Sequence, residues 1–183
     1  MKRSIRQFLA GACAAAVVAG PAWNAHANDA QSGWRGAGLV RTVRMATAAF
    51  RDVNAATAQG YEVFLGCVSS PHEGAMGVHY VNGGLVGDGV LDSTRPEALV
   101  YEPRGAGLRL VAVEYVVLAD AWHASNELPP VLEGQVFNYV GSPNRYGLPP
   151  FYELHVWAWK VNPSGTFADH SPRVSCEAYS PTS

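Results

Sequence analysis

Lysine is scarce in this chain. Its 183 residues include only two lysines, Lys2 and Lys160, and the formal net charge is −2. Nucleic acid and anionic lipid both demand clustered Lys/Arg, so neither is expected as a partner. Cysteine is scarce too, with three residues and no C-x-x-C spacing, which argues against a thiolate metal site. H-E-x-x-H, a P-loop, G-x-S-x-G and a cupin-like H-x-H are all missing, and no serine stands in a nucleophile context. Internal repeats and low-complexity tracts are absent as well.

Long apolar runs are also lacking, apart from the 13 residues Phe8 to Gly20. Such a run is too short for a bilayer, which takes about 20. Lys2, Arg3 and Arg6 precede it and "AHA" follows, the pattern of a cleaved secretory signal over residues 1–27. A lipid anchor on Cys13 is disfavoured, because the residue three before it is Ala10 rather than a large aliphatic. The expected product is a periplasmic or secreted protein of residues 28–183, with no membrane anchor after cleavage. Its 156 residues suit one domain. The signal takes three of the 13 basic residues and none of the 15 acidic ones, so the mature chain is distinctly acidic.

Cys67 and Cys176 remain after cleavage. In an exported chain an even pair most simply forms a disulfide, and closing a loop of about 100 residues stabilises by roughly 4 to 5 kcal/mol in the chain-entropy picture.

What is present reads as a helix followed by strands. Leu39, Val43, Ala46, Phe50, Val53 and Ala56 recur at three- and four-residue steps up to Gly60, predicting an amphipathic helix of about 20 residues. "YEVFLGCV", "GVHYVN", "EALVYEP" and "LRLVAVEYVVL" then read as strands between Pro/Gly turns, the last apolar on both faces and so central. "ASNELPPVLEGQVFNYVGSPNRYGLPP" is a long Pro/Gly-rich loop with five prolines, of the kind that forms lids or binding walls. "YELHVWAW" is a last strand. The economical architecture is a single α+β domain: an antiparallel sheet covered by the N-terminal helix, with one disulfide.

Several polar residues stand inside these apolar strands. Glu114 shares a face with Leu110, Ala112, Val116 and Leu118, where an unpaired carboxylate would shift its pKa or cost several kcal/mol. His79, His155 and Glu102 are in the same position. In the last strand Glu153, His155, Trp157 and Trp159 fall on one face. Two histidines and one or two carboxylates from adjacent strands make a ligand set for zinc, copper, iron or manganese, and His72 in the loop "SPHEGAMG" is placed to close it. The unexceptional alternative pairs Glu114 with Arg109 or Arg145 and lets the histidines donate to backbone carbonyls. A third reading is a metal-free acid/base pair. Among the aromatics, Tyr80, Tyr101, Trp157 and Trp159 would line a pocket for an apolar or ring-shaped ligand, or else serve as core.

The motifs "MGVHYVN", "PEALVYEP", "LRLVAVEY" and "LHVWAWKVNPSGTFADHSPRVSC" together resemble a group of uncharacterised exported bacterial proteins. The resemblance covers most of the mature chain and implies a self-contained exported domain with His79, Glu114 and His155 in its most recognisable segments. It lends no activity. Two functional expectations follow: an exported protein binding a divalent transition metal through His79, Glu114 and His155, with an enzyme among the options, or a non-catalytic disulfide-stapled module for a small apolar ligand or a protein partner.

Overall fold

The computed structural model describes residues 36–180. The predicted signal at 1–27 lies outside them. Residues 36–46 form a helix, α1, whose Leu39 and Val43 are fully buried one turn apart against the sheet. The single helix expected up to Gly60 is instead three short pieces: α1, a 3-10 turn Ala48–Arg51, and α2 Val53–Ala58. Asp52 explains the second break. Its backbone is extended, with φ −92° and ψ 115°, and its carboxylate accepts the N–H of Asn54, so it caps a new helix instead of continuing the old one.

Beyond α2 come the strands β1 Glu62–Ser70 and β2 Gly74–Val81, the short α3 Gly83–Val86, β3 Ala98–Arg104 and β4 Gly107–Leu118. Then follow α4 Ala119–His123, β5 Val131–Leu132, β6 Gln135–Val136, β7 Asn138–Val140 and β8 Phe151–Val156. Six strands make one antiparallel sheet in the order β1-β2-β3-β4-β8-β7, while β5 and β6 form a separate hairpin. The Pro/Gly-rich stretch is therefore more than a loop. It supplies that hairpin and the edge strand β7.

β4 is central, as its two apolar faces require, and its residues 110–117 are buried. Leu99, Tyr101, Val113, Tyr115, Leu154 and Val156 build the larger core with Leu39 and Val43 of α1. On the other face Val100, Ala112 and Trp157 pack with Val174 of the C-terminal segment. That segment is held by the Cys67–Cys176 disulfide and by reciprocal backbone hydrogen bonds between Ala75 and Ser171. Gly74 makes the approach possible: its φ is +85°, and a Cβ there would collide with the Ser171 carbonyl. In β1 the ladder skips Leu65 and Gly66, both at positive φ, before resuming at Cys67. No helix among the described residues is long and apolar enough to cross a membrane.

Candidate metal centre

Register places the three polar residues. Glu114 and His155 are direct cross-strand partners on β4 and β8, and across β3 the partner of Glu114 is Ala98. His79 on β2 pairs with Val100, two residues along β3 on the same face. Between His79 and Glu114 this face therefore offers only Ala98 and Val100, and nothing long stands between them. His79 and His155 are three strand spacings apart, about 14 Å in a flat sheet. Their ring centroids are 5.8 Å apart and nearly perpendicular, so the sheet is curled and all three side chains converge on its concave face.

The convergence is close. One ligand atom from each of His79, Glu114 and His155 can be chosen so that all lie within 4.8 Å of one another. Nε2 of His79 is 3.4 Å from Oε2 of Glu114, and Nδ1 of His155 is 3.8 Å from Oε1 of the same carboxyl. A tetrahedral shell at about 2.1 Å sets its ligand atoms roughly 3.4 Å apart, so the longer separations must close by about an ångström around an ion. No arginine or lysine pairs with Glu114 among the described residues. The alternative that neutralised it with Arg109 or Arg145 is not what the fold does.

Burial sets the protonation. It lowers His79 to about 4 and His155 well below the usual imidazole range, the latter with help from His79 itself. It pushes Glu114 well above the carboxylate range, reinforced by Glu153 beside it, and raises Glu153 to about 7. The histidine–carboxyl contacts therefore join neutral groups at neutral pH and are not ion pairs. Both ring nitrogens of His155 are buried without a hydrogen-bond partner, as is Oδ1 of Asp169, which lies 3.7 Å from Nδ1 of His155. Buried imidazole nitrogens normally have partners, and leaving one unmade costs about 1 to 3 kcal/mol. Neutral imidazoles with free lone pairs beside a carboxyl fit the donor chemistry of a divalent transition metal.

The other residues expected at the site are elsewhere. Glu102 is engaged by Lys160 Nζ and by Arg104 Nε, the latter at 3.2 Å. Those two cations satisfy its carboxylate, and it is not among the groups that converge with His79, Glu114 and His155. His72 lines a shallow groove with Glu73, Asp169 and His170, outside the triad. Tyr80 and Tyr101 stack edge to face at 5.1 Å on the helix side of the sheet, and the Tyr101 hydroxyl donates to the Phe50 carbonyl. Trp157 is core, its indole N–H given to the Ala168 carbonyl. Trp159 is not on the face of His155 at all. The strand ends at Val156, and Trp159 turns to the helix side, where it donates to Thr47 Oγ1 and lies under the Arg51 guanidinium. None of the four aromatics lines the cavity beside the triad.

That cavity, of about 400 Å³, has His79, Glu114 and Glu153 in a wall otherwise made mainly by aliphatic side chains such as Val81, Val116, Leu118 and Leu148. Sequence reasoning passed over Glu153 and Asp169 as site residues. Glu153 had a signal, since it lies two residues before His155 on a strand. Asp169 had none, because its place over β8 comes from contacts that local pattern does not show: the Trp157 hydrogen bonds to the Thr166 and Ala168 carbonyls, the Ala75–Ser171 bridge and the disulfide.

No protein-family model, no curated protein and no solved structure matches this chain.

Proposed function

We propose that this is an exported protein that holds a divalent transition metal ion through His79, Glu114 and His155. The observation that carries the reading is the convergence of three buried donor groups within 4.8 Å, with no basic residue paired to their carboxyl among the described residues. Two neutral imidazoles and a carboxylate suit zinc, copper, iron or manganese. A cation would hold Glu114 ionised where burial otherwise keeps its proton on. Asp169 is placed to orient His155 or to join the shell, and Glu153 faces the adjoining cavity. When bound, such an ion polarises a substrate oxygen or lowers the pKa of a bound water, which is the basis on which this site would be catalytic. The disulfide and the lack of a membrane-crossing helix among the described residues are compatible with export.

The test is elemental analysis of residues 28–183 prepared without a metal-binding tag, after reloading with each of the four metals in turn. About one equivalent, lost in a His79→Ala/His155→Ala double variant whose far-ultraviolet circular dichroism is unchanged, supports the reading. Background metal in the folded wild-type protein after reloading overturns it.

A further inference from the structure

Two of the triad, His79 and Glu114, stand in the wall of a cavity whose other features are unused by a metal. Ligand pockets run from about 300 to 1,000 Å³, and this one, at about 400 Å³, suits a single small molecule. Its wall is apolar and mainly aliphatic: Val68, Val81, Val86, Val116, Leu118 and Leu148 all contribute, with Phe64, Tyr146 and Phe151 as its aromatic part. Val63 and Leu65 line it as well, yet are 50% and 55% exposed, so the cavity opens to the surface past an apolar rim on β1. Leu65 holds a left-handed backbone, φ 58°, within the break in the β1 ladder. An exposed leucine in that conformation is unfavourable by itself, and here it turns the side chain to the mouth.

Charge narrows the occupant further. The ionisable groups in the wall, apart from His79 and the Tyr146 phenol, are the carboxyls of Glu62, Glu114 and Glu153, and neither lysine nor arginine lines it. Glu62 is exposed at the rim, while Glu114 and Glu153 are buried. An anionic head group would have to lie beside these carboxyls with no basic residue to balance it. A divalent ion on Glu114 with Glu153 alongside gives a patch close to neutral, which in turn offers nothing to a cationic head.

We propose that this cavity binds an uncharged aliphatic molecule with one oxygen head group, its chain along Val81, Val116 and Leu148 and its oxygen at the His79–Glu114–Glu153 patch. The inference rests on the metal reading for the head group alone, since with an ion in place the oxygen becomes a ligand. The chain side depends only on the shape and apolarity of the wall.

The experiment is isothermal titration of linear primary alcohols of increasing length, up to 1-octanol, into the folded protein, both metal-free and reloaded with zinc. Metal content is measured on the same samples. Affinity is expected to rise about fourfold per added methylene in both forms, as burial of apolar chain dictates. In the metal-free protein octanoate and octylamine are expected to bind at least about tenfold more weakly than 1-octanol, because each brings a charge into a low-dielectric wall. Leu148→Trp, in a half-buried loop position that tolerates a larger side chain, should remove binding, and Val116→Phe checks the same wall from β4. Absence of alcohol binding, equal binding by the Leu148→Trp and Val116→Phe variants, or preference of the metal-free protein for octanoate or octylamine overturns the proposal. Because metal content is read independently, a protein that carries zinc but no alcohol defeats this inference alone. One that binds alcohols with no metal retains the cavity assignment and defeats the metal reading.

Discussion

Glu114 and His155 face each other directly across β4 and β8, with Nδ1 of the imidazole 3.8 Å from Oε1 of the carboxyl. The pair is buried, and its contact joins neutral groups. A carboxyl and an imidazole in water would exchange a proton and attract. Here desolvation outweighs that attraction, keeping the proton on the carboxyl and off the ring. A divalent ion between them reverses the balance for the carboxyl, which is why the pair carries the functional argument.

Glu114→Gln preserves the shape of this side chain and removes its negative charge on ionisation. Metal affinity, measured by competition with a chromophoric chelator, is expected to fall at least about tenfold. The metal-free variant should melt no lower than the metal-free wild type, since a buried ionisable carboxyl has been exchanged for a neutral amide. Undiminished metal affinity would remove Glu114 from the shell.

Asp169→Asn should weaken metal binding less, by about tenfold, because its carboxyl sits 3.7 Å from Nδ1 of His155 and orients the ring or assists the shell. The discriminating readout is the spectrum of a cobalt-substituted sample. A changed ligand field together with weaker binding places Asp169 in contact with the ion. Weaker binding with an unchanged spectrum leaves it a positioning residue. Wild-type affinity in the variant would exclude both.

Glu97, whose charge also bears on Glu114, offers a further pH dependence. Its carboxyl accepts the Val116 N–H at 3.0 Å, and burial raises its pKa to about 8. The folded chain therefore keeps a proton that the unfolded chain loses near pH 4.5, so stability falls as pH rises through that interval and levels off above about 8. Urea midpoints of the metal-free protein should drop between about pH 6.5 and 8.5, above the range in which unfolded histidine titrates. In Glu97→Gln the drop should be smaller. An identical pH slope in the two proteins would contradict the assignment.

Removing the disulfide by Cys67→Ser/Cys176→Ser opens a loop of sequence separation 109, worth about 4 to 5 kcal/mol in the chain-entropy picture. Chemical denaturation should register a loss approaching that size. Metal affinity should fall as well, because Cys176 anchors the segment that carries Asp169 over His155. A variant destabilised as expected but unchanged in metal affinity would show that the Ala75–Ser171 bridge and the Trp157 bonds to Thr166 and Ala168 hold the segment without the disulfide.

The strands of this chain were legible because their patterns are strong: β4 is apolar on both faces, and Pro or Gly closes its neighbours. His79, Glu114 and His155 were legible for a different reason. A polar side chain in an apolar strand has to be accounted for, whatever the fold. The expected helix failed first at Thr47 and again at Asp52, where a side-chain hydrogen bond caps a new helix in spite of a continuous apolar stripe. Tyr80, Tyr101, Trp157 and Trp159 missed the cavity, which Phe64, Tyr146 and Phe151 line instead, because alternation along a single strand says which residues share a face but not which face is concave. Tyr80 and Tyr101 fell on the helix side, and Trp159 changed sides once the strand ended at Val156.

The sequence by itself determined the antiparallel strands, the cysteine pair and the three buried donors, since each follows from residue type and local spacing. Only the tertiary structure decided that those donors meet. Their meeting requires the register of four strands, the small Ala98 between His79 and Glu114, and a curl that shortens about 14 Å of flat sheet to a ring separation of 5.8 Å. Asp169 and the aliphatic cavity belong to the same category. They arise from contacts between segments far apart in the chain, and local pattern carries no record of such contacts.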